Sequence, residues 1–336
     1  MSDTDATTPK ARRRPRLRKA MIISGSIVGG LILVVGALGA WFLYAPTPSE
    51  PELDAQVERG TIEVDGMQRE YLAVIPADLP ADAPVVLAFH GSNMDAATMR
   101  ATTGYRFDEL AVERGFIALY PEGYGKTWHD CRAATPYAAR LDDIDDIAFV
   151  RALVDSLAEE HGTSREQVFA TGLSNGGHFA YRLATEAPDL VKGIAAFAAA
   201  YPAEDSNVCE WAGAPVPTMI VLGTSDPINP FTGGEASAFG TRLGNVRSAD
   251  DTAAYLGERN GDTMQPVTET FTNTAASGDS DATRTTYTGD APVVLFAVEG
   301  GGHVVPNPNY AQPRIMGGTS MYLDGPLAAI DFFLGE

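Results

Sequence analysis

The 336-residue chain has only two cysteines, Cys131 and Cys209, and only five histidines. Two thiols far apart in sequence make a poor metal site, because zinc wants about four ligands at short local spacings. No metal or organic cofactor is expected. In an oxidising compartment the two cysteines read as one disulfide, and in the cytosol as two buried thiols. Positive charge is scarce and unevenly spread: the first 45 residues hold seven of the 24 Lys+Arg and two of the 44 Asp+Glu. The remainder carries 17 basic against 42 acidic residues, a net −25. So acidic a domain repels nucleic acid, and nothing basic after residue 45 could track phosphates. It reads as a soluble, salt-tolerant surface. The sequence also lacks internal repeats and long low-complexity tracts. With 45% hydrophobic residues it is neither disordered, collagen-like nor multi-span.

What is present begins with an address. Residues 10–19, KARRRPRLRK, precede a run with no charge between Met21 and Tyr44. That run is long enough to cross a bilayer with some tilt. The basic block lies on its N-terminal side, so the positive-inside rule puts residues 1–20 in the cytoplasm and the bulk of the chain outside. Trp41, Phe42 and Tyr44 cluster where an interfacial aromatic belt would lie. The expectation is a signal anchor over 21–44. A cleaved signal, cut near Ala37-Leu38-Gly39-Ala40, is the alternative; both export the domain, and export favours a Cys131–Cys209 disulfide. Residues 45–57 are rich in proline and acid and read as a short extended spacer.

From residue 58 to 336 strand and helix patterns alternate. Two strand-type runs flank Asp65-Gly66, a hairpin signal. The runs at 83–91 and 116–123 are solidly apolar, as buried parallel strands are. Residues 144–161 show a helical period. The segment 167–172 reads as a strand running into a helix, and PTMIVLG and PVVLFAVEG are further strands. PLAAIDFFLG closes the chain as a helix. Such alternation means a mostly parallel sheet covered by helices on both faces, with chemistry in the loops beyond the carboxyl ends of the strands.

Those loops hold a constellation. Gly172-Leu173-Ser174-Asn175-Gly176 is G-x-S-x-G between a strand and a helix, where small residues permit the sharp turn that lifts a serine hydroxyl above a sheet. A serine needs a base. Among the five histidines, His303 follows three glycines just past the last strand, and a flexible glycine loop could swing it over the serine. The imidazole needs an acid to hold its tautomer, and Asp226 follows PTMIVLG. The order Ser174, Asp226, His303 is the order of an α/β-hydrolase. An oxyanion needs two N–H donors; these are expected from Asn175 and Ser92, with Gly91 adjacent and His90 shaping the loop and counted among the substrate-binding residues. His178, one turn beyond Ser174, reads as a packing residue.

The ordered blocks LAFHGS, YPEGYGKTWHDC, DDIDDIAFVRALVD, VFATGLSNGGHFAYRLA, VLGTSDPINPFTGG and EGGGHVVPN resemble the exported polyhydroxybutyrate depolymerase and feruloyl-esterase family of α/β-hydrolases over about residues 60–336. The resemblance implies an α/β-hydrolase fold and the same triad. It also implies that Cys131 and Cys209 lie where family members carry cysteines, some disulfide-bonded. Trp128 matches an aromatic often found near the active site, and Tyr124 is expected to join it. Val305 stands where relatives often have Trp, a departure that bears on substrate. The expected activity is extracytoplasmic serine carboxylic-ester hydrolysis on a small-molecule or oligomeric ester. A serine peptidase or acyltransferase on the same residues, or a membrane-tethered non-catalytic binding protein, are the alternatives.

Overall fold

A computed structural model describes residues 30–272 and 281–335. The chain divides into two units, 1–44 and 45–336. In the first, residues 30–43 form helix α1. Among the described residues no helix is long and apolar enough to cross a membrane; the expected anchor over 21–44 lies partly outside them, and the basic segment 1–20 wholly outside.

In the second unit, β1 (Ala55–Val64) and β2 (Met67–Pro76) form the expected hairpin, with Val64 opposite Met67. Asp65 and Gly66 both have positive φ, as a two-residue turn between twisted strands requires. β1 starts at Ala55, so the expected spacer over 45–57 ends before its last residues. The chain continues through β3 (Val85–Phe89), α2 (Ala96–Thr102), α3 (Arg106–Arg114), β4 (Ile117–Pro121), α4 (Ala138–Leu141), α5 (Asp146–His161), β5 (Val168–Leu173), α6 (Asn175–Glu186), β6 (Gly193–Phe197) and β7 (Thr218–Gly223). It ends with β8 (Gly234–Ala238), β9 (Thr241–Val246), α7 (Ala249–Arg259), β10 (Val267–Phe271), β11 (Ala282–Tyr287), β12 (Val293–Val298) and α8 (Gly325–Leu334).

Among the described residues, ten strands make one sheet in the order β1-β2-β4-β3-β5-β6-β7-β12-β11-β10. The six central strands, β4 to β12 in that order, are parallel to their neighbours. Antiparallel strands flank them on both edges. Each central strand is buried on both faces, which explains their unbroken apolar runs. Along β3, Val85, Leu87 and Phe89 join the core under α5 and α6, while Val86 and Ala88 join the core under α2, α3 and α8. α5 begins where Asp145 accepts from Ala148 N at 2.8 Å and ends at the left-handed Gly162. On the α2/α3 side, the buried Asp108 accepts from Arg100 Nε at 2.5 Å and Tyr120 Oη at 2.6 Å, and Arg100 also pairs with Glu50 of the spacer.

Parallel strands carry their carboxyl ends to one edge, so the loops after β3, β5, β7 and β12 meet there. The glycines set how closely. A Cβ on Gly172 would collide with the backbone of Gly176, and one on Gly176 with the carbonyl of Phe89 on β3. In an ordinary helix Gly→Ala gains about 1 kcal/mol. At Gly176 the obstacle is backbone, which cannot rotate away. Gly176→Ala is therefore expected to lower stability by about 1–3 kcal/mol net; urea denaturation with an unchanged midpoint would refute this packing.

Candidate active site

Ser174 occupies the turn between β5 and α6 with φ 57° and ψ −117°. A non-glycine residue is strained there, and such strain concentrates at functional sites. Ser174 N donates to Phe197 O at 2.9 Å, which pins the turn to β6. Ser174 stands at the N-cap of α6, yet its side chain makes no capping bond. The hydroxyl is thus left for other work, and the helix N-terminus keeps unpaired N–H groups beside it.

Asp226 follows β7. Its buried carboxylate accepts backbone N–H bonds from Ile228 and Asn229, both at 2.8 Å. His303 Nδ1 lies 2.8 Å from Asp226 Oδ2 and 3.1 Å from Oδ1. A carboxylate only accepts, so Nδ1 carries the proton and Nε2 is the free ring nitrogen. The glycines before His303 are not a flexible tether, contrary to expectation. Gly302 N donates to Gly318 O at 2.8 Å, His303 N to Met316 O at 2.6 Å, and Ser225 N to Gly301 O at 2.9 Å. A Cβ on Gly301 would crowd Val298, and one on Gly302 would strike the Met316 carbonyl. These glycines allow close approach, and the loop holds His303 and Asp226 in one fixed packing.

Ser174 and His303 line the same cleft, of about 180 Å³, together with Gly91 and Ser92. The backbone N–H groups of Ser92 and Asn175 have no partner among the described residues. His90 is fully buried: its Nε2 accepts from Gly123 N at 2.9 Å and its Nδ1 donates to Gly91 O at 2.8 Å. Both ring nitrogens are therefore used to brace the loop, and His90, also expected to bind substrate, is sealed behind the cleft and does not line it. Burial lowers its pKa to about 4, so the ring is neutral. The Glu122 carboxylate 3.8 Å away faces an unprotonated nitrogen and makes no ion pair.

Three other expected wall residues are elsewhere. Trp128 is fully buried, stacked on Phe179, and donates from Nε1 to His90 O at 3.0 Å. It supports the loop from behind and does not line the cleft. Tyr124 faces a separate groove beside Arg69 and Lys126. Val305 is a fully buried core residue among β12, α8 and their neighbours, so no aromatic wall was lost from the cleft there. The actual apolar walls are Met94, Ile228, Met316 and the β8–β9 hairpin, through Ala238, Phe239 and Leu243. Phe239 sits at the hairpin tip with φ 48° and is 79% exposed. The Phe239-Gly240 pair was the available turn signal, weakened because phenylalanine rarely adopts positive φ.

Behind the cleft lies a buried polar layer. The Asn175 amide accepts from Trp128 N at 2.8 Å and donates to Trp128 O at 3.0 Å and Asp130 Oδ2 at 2.7 Å. Asp130 also pairs with the buried Arg132 at 2.6 Å. Burial works to raise the Asp130 carboxyl, but Arg132 and its hydrogen bonds outweigh it and hold it below its usual range. Between them Cys131 forms a disulfide with Cys209. His178 is fully buried as expected, and burial keeps it well below the usual histidine range. Its Nε2 lies 3.3 Å from Asn229 Nδ2, which also donates to Ala198 O at 2.8 Å. Asn229, absent from the sequence reading, thus ties the Asp226 turn to α6. Among the described residues no group of three His, Cys, Asp or Glu could hold a metal ion.

The buried titratable groups oppose one another. Unfolded His90 takes a proton near the ordinary histidine value of 6.5 and folded His90 only near 4, so stability is lost as pH falls through that window. Burial pushes Asp108 up to about 6 from 3.8, so it adds stability as pH falls from 6 to 3.8 and masks the loss. In Asp108→Asn the fall in unfolding free energy between pH 6.5 and 4 is expected to steepen, by up to about 3 kcal/mol. Urea titrations at both pH values measure it; equal slopes in the two proteins would contradict the assignment.

The chain matches the Dienelactone hydrolase family over residues 72–240. It is 30% identical over 306 residues to NocK of Nocardia uniformis subsp. tsuyamanensis, a protein carried under an esterase name, with 87% of each chain covered. It is 23% identical over 249 residues to feruloyl esterase C of Emericella nidulans, covering 73% of this chain and 78% of the relative. Among solved structures, the acetyl xylan esterase from Aspergillus awamori superposes with a TM-score of 0.51 at 17% identity, over 74% of this chain and 95% of that one. That likeness concerns the fold, which is the one expected from the alternation of strands and helices. The chain belongs to the dienelactone hydrolase family of α/β-hydrolases.

Proposed function

We propose that the protein is an extracytoplasmic serine carboxylic-ester hydrolase in which Ser174, His303 and Asp226 form the triad. The observation that carries the reading is the meeting, on one cleft, of a strained and uncapped serine with an imidazole whose Nδ1 is fixed on a buried carboxylate. The names of the relatives, an esterase and a feruloyl esterase, support the same chemistry.

His303 Nε2 takes the proton as Ser174 Oγ attacks the ester carbonyl carbon. The oxyanion that forms is received by the N–H groups of Ser92 and Asn175. Collapse breaks the bond to the alcohol oxygen, which leaves with the proton held by His303, and the acyl group remains on Ser174. Water then gives a proton to His303, attacks the acyl carbon, and the acid departs as Ser174 regains its proton. Asp226 keeps Nδ1–H in place throughout and balances the imidazolium.

The N-terminal reading rests on the sequence: seven basic residues ahead of an uncharged run, and the Cys131–Cys209 disulfide, which suits an oxidising compartment. The full-length chain is expected to resist carbonate extraction from membranes, with the hydrolase unit cut by protease added outside the cell. Release into the carbonate supernatant would remove the anchor from the proposal. For the chemistry, Ser174→Ala should lower p-nitrophenyl butyrate hydrolysis by roughly a thousandfold or more with an unchanged circular dichroism spectrum; near-normal turnover by the variant would eliminate Ser174 as nucleophile.

A further inference from the structure

The side-chain hydroxyls of Ser92 and Tyr137 line the cleft with Ser174 and His303, and the hydrolysis steps leave both idle. Ser92 is partly exposed there, so a ligand in the cleft can touch it. Tyr137 Oη donates to Ser92 Oγ at 3.3 Å, a bond that joins the start of α4 to the loop after β3. Tyr137 supplies the proton of that bond, so Ser92 Oγ keeps its own, and among the described residues no acceptor takes it. The guanidinium of Arg132 lies 5.7 Å from the centroid of the Tyr137 ring and polarises the phenol as a donor. The loop itself is fixed: Asn93 N donates to Lys126 O at 2.9 Å, Met94 N to Gly91 O at 3.2 Å, and His90 Nδ1 to Gly91 O at 2.8 Å. It also lies close to the nucleophile, since a Cβ on Gly91 would stand 3.6 Å from Ser174 Cβ.

We infer that the Ser92 hydroxyl is a catalytic group, a third donor to the oxyanion beside the N–H groups of Ser92 and Asn175, and that Tyr137 is the positioning residue that turns its proton into the cleft. The inference rests on the ester-hydrolase reading of the same cleft. No bond to Ser92 forms or breaks. Ser174 Oγ adds to the carbonyl carbon, its proton goes to His303, and the carbonyl oxygen gains the charge that the three donors receive. An ester carbonyl carries little charge before attack and a full one after it. A hydroxyl aimed at that oxygen therefore acts on the transition state more than on substrate binding. A serine hydroxyl rotates to suit its surroundings, and a donor seated on its oxygen fixes where the proton points.

The test uses the full-length protein with p-nitrophenyl butyrate and with 1,1,1-trifluoro-2-hexanone, whose carbonyl becomes a hemiketal oxyanion on Ser174. Alanine at residue 92 keeps the backbone N–H, so Ser92→Ala removes only the hydroxyl. It is expected to lower kcat by roughly tenfold or more with KM within about threefold. The inhibition constant of the ketone should weaken by about the factor lost in kcat/KM. Tyr137→Phe should lower kcat by roughly three- to tenfold, and Ser92→Ala/Tyr137→Phe should be within about twofold of Ser92→Ala, because the tyrosine acts through the serine. A tyrosine with a merely structural role would add its defect on either background. A kcat loss under tenfold in Ser92→Ala, a loss carried by KM, or additive losses in the double variant overturns the inference. Hydrolysis by Ser174→Ala at the wild-type rate instead removes the ester-hydrolase reading, and the inference falls with it.

Discussion

The site depends on how closely the first turn of α6 approaches β3 and β5. Side chains at residues 172 and 176 would hold that helix away from the sheet, where a Cβ on either meets backbone atoms. With hydrogen there instead, the chain can pass from the end of β5 into the helix within a single residue. That residue is Ser174, held at φ 57° by Phe197 O on one side and the helix on the other. The same approach brings Gly91, which precedes Ser92 on the loop after β3, close to Leu173 O and Ser174 Cβ. The strained serine and the expected oxyanion donors are therefore consequences of one packing distance. The strain at Ser174 persists because the surrounding sheet over-determines it.

A second layer keeps the first from relaxing. Asn175 points its amide away from the cleft and clamps Trp128 and Asp130, whose carboxylate is neutralised by Arg132. Burying such charges is costly unless each is paired and hydrogen-bonded, and here each is. Cys131 sits between the paired residues, so the disulfide to Cys209 fastens this layer to the 206–208 segment, where Ala133 N and Cys131 O also make backbone bonds. On the other side, Asn229 joins the Asp226 turn to Ala198 and His178. The two ends of the constellation are thus braced by neutral amides rather than mobile charges.

Much of this was legible in the sequence, and the division follows burial. Strands β3 to β7 and β12 are buried on both faces and appear as solid apolar runs; α5 shows its period because one face is packed and the other wet. The polar edge strands gave no such signal: Val267–Phe271 is exposed throughout, and the β8–β9 hairpin turns on Phe239 instead of asparagine. Ser174, Asp226 and His303 stood out as candidates because each lies within a few residues of the carboxyl end of a buried strand. The walls could not, since their position depends on loops. Trp128 and Val305 show the limit most clearly. An aromatic or aliphatic residue near a catalytic motif has the same local signature whether it faces the cleft or the core, and both face the core. The glycines before His303 mislead in a related way, since the sequence does not distinguish glycine needed for freedom from glycine needed for contact.

The most direct measurement of the central claim is covalent trapping. The folded protein is treated with a fluorophosphonate and its peptides are mapped by mass spectrometry. The account predicts a single adduct on Ser174, formed at a rate that collapses when His303 is replaced by alanine. An adduct on a different serine, or none on fully folded protein, would contradict it.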